Sequence, residues 1–194
     1  MYIDYSKELM QSVSEGVKLG LDPAPLDQMK TSESELSEIT DLCKSSIYEL
    51  LLMLHPGKYW GDQCLNLAYQ TYLCLKSKGY DCEIVYGDVR VAGETYEFDT
   101  TLDGLRKEYK KGVGQGGMEI HAWVAVSDKL IIDYSMAARL NHFYDKNVDP
   151  FMPFIRSPAE LKQLQLEYIP MLAGAQFITV TCGMNPPGSL LEEG

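Results

Sequence analysis

The chain has 194 residues, and its 28 acidic side chains outnumber its 17 lysines and arginines, which gives a formal charge of −11. This length is typical of one domain, which can bury a hydrophobic core without disulfides or a structural metal. The hydrophobic fraction of 45 % and the charged fraction of 23 % are ordinary for a folded protein. An acidic chain has no general attraction to phosphate backbones or anionic lipids, so we expect neither a nucleic-acid partner nor a membrane partner.

The five cysteines are an odd number, and they lack the spacing of a zinc site. The first residues lack the basic and apolar regions of a secretory signal, and no apolar run approaches the roughly 18 residues of a membrane-spanning helix. These features predict a cytoplasmic protein with reduced thiols and no bound metal. Four of the cysteines lie within apolar patterns typical of a core: Cys43, Cys74, Cys82 and Cys182.

The N-terminal part of the chain, residues 1–57, is predicted to be helical. Residues 1–30 are weakly patterned. Apolar residues recur at helical spacing over residues 34–54, after hydroxyl and acidic side chains that favour a helix start. A His-Pro-Gly sequence ends this helix. A second helix is predicted over residues 63–78, where a following glycine supplies the C-terminal stop.

Strands are predicted in the second half of the chain. Runs rich in β-branched and aromatic residues indicate strands at 82–91, 119–126, 129–134 and 176–182. A polar, glycine-rich insertion, residues 92–117, is predicted to hold a short strand near 95–98 and a helix near 102–109. We interpret its GVGQGG run as a flexible lid or hinge. Ser157 followed by a proline predicts the start of a further helix.

Together these patterns predict an α+β fold in which N-terminal helices pack on an antiparallel sheet. We expect a single catalytic domain spanning residues 1–194. Its helical part is 1–57, its core is 58–135 and includes the insertion, and residues 136–194 form a C-terminal loop, helix and strand.

A cysteine, a histidine and an aspartate occur on three consecutive predicted elements. Cys64 lies in the first turn of the second helix, where the helix dipole and free N–H groups favour a thiolate and can stabilise an oxyanion. His121 and Asp133 lie on the two strands that follow. Histidine is the natural base for a thiol, and a carboxylate fixes its tautomer. The order therefore predicts a nucleophile, its base and the residue that orients the base.

Strand geometry places a condition on this hypothesis. Side chains alternate between the two faces of a strand, so a two-residue turn at Ser127 and Asp128 would place Ala122 opposite Asp133. His121 would then lie on the other face of the sheet. The triad hypothesis consequently predicts a connection of three or five residues, or a bulge.

Several segments resemble a known family. They are residues 64–68 (CLNLA), 78–80 (KGY), 84–87 (IVYG) and 121–124 (HAWV). The chain resembles the transglutaminase-like branch of the papain-like cysteine enzymes. The quoted segments are especially similar to those of small bacterial transglutaminase-like peptidases, such as those that cleave the leader from lasso-peptide precursors. The resemblance covers about residues 59–135 and implies a papain-like core with Cys64, His121 and Asp133 as the triad. The chain departs from many relatives at Asp62, where they carry glycine.

Three further side chains are candidates for the substrate and oxyanion regions. Gln63, or the backbone N–H of Cys64, is placed to stabilise an oxyanion. Trp60 and Trp123 are candidates for the wall of a substrate channel, and a packing role suits each of them equally well. The acidic residues form no metal pattern, so we expect no metal and no organic cofactor.

These observations predict a cysteine-dependent acyl-transfer enzyme that hydrolyses an amide or peptide bond through an acyl-enzyme intermediate. The expected partner is a peptide or protein substrate, or a small amide. Transglutaminase or glutamine deamidase activity would use the same triad. A non-catalytic protein-binding module that retains the fold is the third alternative, and it predicts slow thiols and a cleft blocked by the insertion.

Overall fold

The computed structural model describes residues 3–26, 29–93, 95–114, 119–144 and 146–183. Within them the helices are α1 (Tyr5–Leu19), α2 (Glu33–Leu42), α3 (Tyr48–Leu54), α4 (Cys64–Ser77), α5 (Leu102–Lys111), α6 (Met136–Phe143), α7 (Pro158–Gln163) and α8 (Gln176–Cys182). The strands are β1 (Glu83–Val91), β2 (Thr95–Tyr96), β3 (His121–Val126), β4 (Leu130–Asp133), β5 (Phe154–Arg156) and β6 (Leu166–Ala173). This α+β content and the antiparallel pairing of the strands confirm the predicted fold class.

The six strands form one antiparallel sheet in which β1 is central. One edge of β1 pairs with β6 along residues 85–91, and the other edge pairs with β3 from Glu83 to Gly87. The short strand β2 pairs with Arg90 and Val91 and continues along the edge that β3 occupies. The residues that directly follow β2 therefore lie close in space to His121, the first residue of β3.

Both faces of the sheet are buried, which is why the strands read as nearly continuous apolar runs. Ile84, Tyr86 and Val124 face a cluster that includes residues of α2, α4 and α8. Val85 and Ala125 face a second cluster that includes residues of α1, α6 and α7. The sheet is thus a middle layer between two layers of helices.

Four predictions for the central region are confirmed. The second predicted helix is α4, and the first predicted strand is β1. The insertion holds β2 and α5, as its patterning indicated, although residues 115–117 of its glycine-rich run lie outside the described residues. Ser157 caps α7 by accepting from the Glu160 N–H, while the Glu160 carboxylate accepts from the Ser157 N–H.

The predicted helix over 34–54 is one helical run with a wide turn in its middle. Residues Cys43–Ile47 form a π-helical turn between α2 and α3. The hydroxyl of Tyr134 donates to the carbonyl oxygen of Cys43 at 2.6 Å, so the wide turn is tied to the end of β4. Hydrophobic periodicity predicts the extent of such a helix, but it does not detect one extra residue in a turn.

The structure corrects the expectation for the last strand. Residues 176–182 form α8. The last strand of the sheet is instead β6, which begins ten residues earlier in the chain and pairs with the edge of β1 opposite β3. The QFITVTC run is rich in β-branched residues, but Phe177, Ile178 and Thr181 share one buried face at helical spacing. Because Phe177 packs on Tyr86 at a ring separation of 4.5 Å, tertiary packing outweighs the local β-propensity.

The weakly patterned N-terminal segment contains α1, whose position within the predicted helical part was not specified by any pattern. Asp4 caps its start by accepting from the Lys7 N–H, and Gly20 ends it with a φ of 86°. The buried face of α1 includes Ser12 and Gly16 beside its apolar residues, so the hydrophobic pattern is faint. A Cβ at position 16 would lie 2.1 Å from the Ala173 carbonyl oxygen, so α1 approaches β6 as closely as only glycine allows.

Candidate functional site

Cys64 is the first residue of α4 and lies where this helix packs on β3. The thiol is almost buried, with 7 % of the residue exposed. Its Sγ donates to the Ile120 carbonyl oxygen at 3.3 Å. The first N–H groups of an α-helix have no partner inside the helix, so Cys64 lies beside hydrogen-bond donors at the positive end of the helix dipole.

The connection between β3 and β4 satisfies the condition set by the triad hypothesis. Val126 pairs with Leu130, so three residues form the turn, and Ser127 adopts a φ of 50°. This register places His121 and Asp133 on the same face of the sheet as diagonal neighbours. The predicted three-residue connection is confirmed. The Nε2 atom of His121 donates to Oδ2 of Asp133 at 2.7 Å, and both side chains are buried.

The Asp133 carboxylate is fully hydrogen bonded. Its Oδ1 accepts from the Ser135 N–H at 2.8 Å, the Ser135 hydroxyl at 2.8 Å and the Met136 N–H at 3.2 Å, where α6 begins. Its Oδ2 accepts from the Tyr168 hydroxyl at 2.8 Å as well as from His121. Burial raises the pKa of this carboxyl, but the charge and hydrogen bond of His121 outweigh burial and lower it. Asp133 is thus held as a carboxylate.

Burial and the interaction between His121 and Asp133 shift the pKa of His121 in the directions opposite to those for Asp133. Burial lowers the pKa of His121, but the charge of Asp133 and its hydrogen bond raise it to about 10, with a smaller contribution from Cys64. The second ring nitrogen, Nδ1, is buried and has no hydrogen-bond partner among the described residues. Since Nε2 is engaged with Asp133, Nδ1 is the atom available to exchange a proton with the Cys64 thiol.

An aromatic side chain covers the histidine. The Phe98 ring stacks on the imidazole of His121 with centroids 4.2 Å apart and planes inclined by 9°. The guanidinium of Arg139 lies 4.4 Å from the centroid of the Phe98 ring. His121 has no exposed surface in this arrangement, so Phe98 has to move before any molecule from solvent can contact the face of the ring that it covers.

The structure separates the other predicted residues into two groups. Gln63 immediately precedes Cys64, and its Oε1 accepts from the Asn66 amide at 3.0 Å, so its side chain is held at the start of α4. Trp60 packs edge to face on Phe151 at 5.2 Å, and Trp123 packs edge to face on Tyr168 at 5.1 Å. Both indoles are buried, so they support the core and expose no ring to a channel.

Several residues at the site have no clear signal in the sequence. Tyr168 comes from a strand whose position was not predicted, and Phe98 and Arg139 meet only after the insertion folds back. Ser135 is the exception: an Asp-x-Ser sequence before a helix is a local capping pattern that could have indicated how Asp133 is held.

The described residues contain no group of three or more histidine, cysteine or acidic side chains arranged to hold a metal ion. In the same part of the chain, no helix combines the length and the apolar character needed to cross a membrane. Comparisons with protein-family models, with curated proteins and with solved structures found no match for this chain. The geometry of Cys64, His121 and Asp133 is therefore the basis for inferring a function.

Proposed function

We propose that the protein is a cysteine-dependent acyl-transfer enzyme with a papain-like, transglutaminase-like core, which hydrolyses an amide or peptide bond. The observation that carries the proposal is the buried hydrogen bond between His121 and Asp133 beside a thiol at a helix N-terminus. A buried ion pair is a weak source of stability, because desolvation offsets much of the attraction between the charges. A histidine held in this way next to a free cysteine is therefore better explained by chemistry than by folding.

The geometry supports a two-step reaction. The raised pKa of His121 favours a pair in which the thiol proton already lies on Nδ1 of the imidazole, and in the first step the thiolate Sγ of Cys64 forms a bond to the substrate carbonyl carbon. The C–N bond then breaks as His121 returns the proton to the leaving amine. In the second step water attacks the thioester, its proton passes to His121, and the carboxylic acid and the free thiol are formed. Asp133 keeps the imidazole oriented and stabilises its protonated form throughout.

The start of α4 supplies the donors for the oxyanion. The N–H of Cys64 lies at the start of α4, and N–H groups at a helix N-terminus stabilise negative charge on a tetrahedral intermediate; the side-chain amide of the preceding Gln63 is the second candidate donor. These steps use no metal and no organic cofactor. The substrate is a peptide, a protein or a small amide, and transfer to an amine instead of water would proceed through the same acyl-enzyme. Cytoplasmic location remains part of the proposal, since the chemistry needs a reduced thiol.

A second candidate is a non-catalytic binding module, and one observation favours it. Phe98, which belongs to the insertion, covers His121, and the Cys64 thiol donates to a backbone carbonyl. This is the blocked cleft that the third alternative predicts. The two candidates differ in whether His121 activates the thiol.

Thiol alkylation distinguishes the two candidates. Iodoacetamide is added to the native protein, and the modification rate of each cysteine is followed by peptide mass spectrometry. The enzyme hypothesis predicts that Cys64 reacts faster than the half-buried Cys74 and Cys182, and that His121→Ala slows Cys64 about 100-fold. Cys74→Ser is the matched control and leaves the rate at Cys64 unchanged. Equal rates at Cys64 in the wild type and in His121→Ala would support the binding module.

A further inference from the structure

The segment that covers the histidine is residues 97–100, which we call the strap. It follows β2 and is held by the buried carboxylate of Asp88. This carboxylate accepts from the N–H groups of Glu97 at 3.1 Å, Phe98 at 3.0 Å and Thr100 at 2.8 Å. Asp99 adopts a φ of 51°, which turns the backbone tightly enough for all three N–H groups to reach one side chain. The strap is thus an ordered structural element.

The side chains of the strap connect it to the two other elements at the site. The Glu97 carboxylate accepts from Nε of Arg139 at 2.6 Å and from the hydroxyl of Tyr144. Arg139 lies on α6, and its Nη1 donates to Oδ1 of Asp62, two residues before Cys64, at 3.4 Å. Arg139 consequently joins the strap to the turn that precedes Cys64.

The partners of Arg139 are unequal. The Glu97 side chain is only 6 % exposed and the Arg139 side chain 15 %, whereas the Asp62 side chain is 69 % exposed and its contact is longer. An exposed ion pair contributes little, but a largely buried charge that loses its partner is strongly destabilised. Moving the strap away from His121 removes Glu97 from Arg139. The open state therefore needs another anion at this guanidinium.

We propose that Arg139 determines specificity by binding a carboxylate of the substrate, which replaces Glu97 and allows Phe98 to leave His121. This inference rests on the proposed acyl-transfer function and names its substrate class as amides or peptides with a carboxylate close to the scissile bond. In the absence of such a substrate, Glu97 and Phe98 occupy the substrate's place. The closed strap then shields the thiol from unrelated amides.

The test uses two matched electrophiles, the N-chloroacetyl derivatives of glutamic acid α-amide and of glutamine α-amide, of which the first carries one negative charge and the second carries none. Iodoacetamide serves as the small neutral probe. Alkylation of Cys64 is measured by peptide mass spectrometry in the wild type, Glu97→Gln, Phe98→Ala and Arg139→Gln. Tyr96→Ala is the control, since Tyr96 is exposed on β2 just before the strap.

The expected results separate Glu97→Gln from the other variants. Glu97→Gln raises the iodoacetamide rate at Cys64 about tenfold, and its acidic probe reacts several-fold faster than its neutral one, because Arg139 has lost its own carboxylate. Phe98→Ala raises the iodoacetamide rate without a preference for the acidic probe, since Glu97 still occupies Arg139. Arg139→Gln also raises the rate without this preference. Tyr96→Ala behaves as the wild type.

The inference is overturned if Glu97→Gln leaves the rate at Cys64 unchanged or reacts equally with both chloroacetyl probes. If that variant does not fold, the pair Phe98→Ala and Arg139→Gln decides: an unchanged iodoacetamide rate in both removes the strap as a cover. These ratios compare one thiol between variants and probes, so they do not depend on activation by His121. Failure of the proposed function is seen separately, as an unaltered rate in His121→Ala.

Discussion

Two buried carboxylates of the sheet, Asp133 and Asp88, have similar hydrogen bonding but opposite shifts in pKa. Each accepts from several donors, yet the pKa of Asp133 is lowered and that of Asp88 is raised. The donors of Asp88 are backbone N–H groups, and burial outweighs them. Asp133 adds a hydrogen bond to a protonated histidine at 2.7 Å, and the charge and hydrogen bond of His121 together with the other donors outweigh burial. In this sheet, backbone hydrogen bonds and a more distant His121 charge do not offset the burial of Asp88, whereas a directly bonded cation with several donors keeps Asp133 ionised.

Replacing each carboxylate by its amide tests this comparison with the largest expected effect. In Asp133→Asn we expect the pKa of His121 to fall from about 10 to near its ordinary value of 6.5 or below it, since burial is then opposed only by the smaller contribution of Cys64. The unfolding free energy at pH 6 falls by about 3–5 kcal/mol, because one member of a buried ion pair is left alone. NMR titration of the imidazole and urea unfolding measure the two quantities.

Asp88→Asn is the matched control for this experiment. It loosens the strap, but it leaves the pKa of His121 well above 6.5, because Asp133 is untouched. An imidazole that titrates near 6.5 in Asp88→Asn as well would show that the two carboxylates act as one unit, and the contrast between them would not hold.

The pH dependence of stability should separate the contributions of the pair. His121 has a raised pKa, so its contribution to stability is complete below pH 6.5 and is lost as the pH rises towards about 10. Asp133 has a lowered pKa, so its contribution is present above its ordinary value of 3.8 and is lost as the pH falls further. We expect the difference in unfolding free energy between the wild type and Asp133→Asn to shrink between pH 6.5 and 10. A difference that is constant over this window would contradict the raised pKa of His121.

The smallest expected effect concerns a single donor of Asp133. Tyr168→Phe removes the hydroxyl that donates at 2.8 Å, while the other donors remain. We expect the unfolding free energy to fall by about 1.5–3 kcal/mol, the range for a hydrogen bond to a charged group. Urea unfolding measures this change.

The comparison variant for Tyr168→Phe is Tyr5→Phe. It removes the hydroxyl that accepts from the Trp123 indole at 3.2 Å, a bond between neutral groups. Its expected effect is about 1 kcal/mol. Equal effects of the two variants would indicate that the charge of Asp133 adds nothing to the Tyr168 hydrogen bond.

Local signals in the sequence were sufficient for much of the sheet and for part of the candidate site. Helical periodicity located α4, and β-branched runs located β1, β3 and β4. In these elements the buried residues recur at the regular spacing of a helix, or form a continuous apolar run as in a buried strand. The sequence alone showed that the triad requires an odd number of residues in the turn between β3 and β4, or a bulge. Fulfilment of this condition depends on Ser127 adopting a positive φ, which no pattern in the sequence specifies.

The features that escaped prediction depend on contacts between distant segments. The strand β6 was not predicted and its neighbour α8 was predicted as a strand, since packing on Tyr86 decided between helix and strand. Tyr168 reaches Asp133 only because β6 pairs with β1 in one particular register. Phe98 covers His121 because β2 lies along the same edge of β1 as β3. Hydrophobic patterning contains no information about either alignment.

The wide turn at Cys43–Ile47 has a consequence for how the chain can be divided. The carbonyl oxygen of Cys43 in this turn accepts a hydrogen bond from the hydroxyl of Tyr134, the residue next to Asp133. The N-terminal helices therefore brace the strand that orients the histidine. A fragment limited to the segment with the family resemblance would lose this brace together with β6. Removing one residue from the wide turn would shift every later side chain of the helix by about 100° and turn the brace away. The candidate site therefore depends on segments far from it in the chain, and the spacing within a distant helix is part of its geometry.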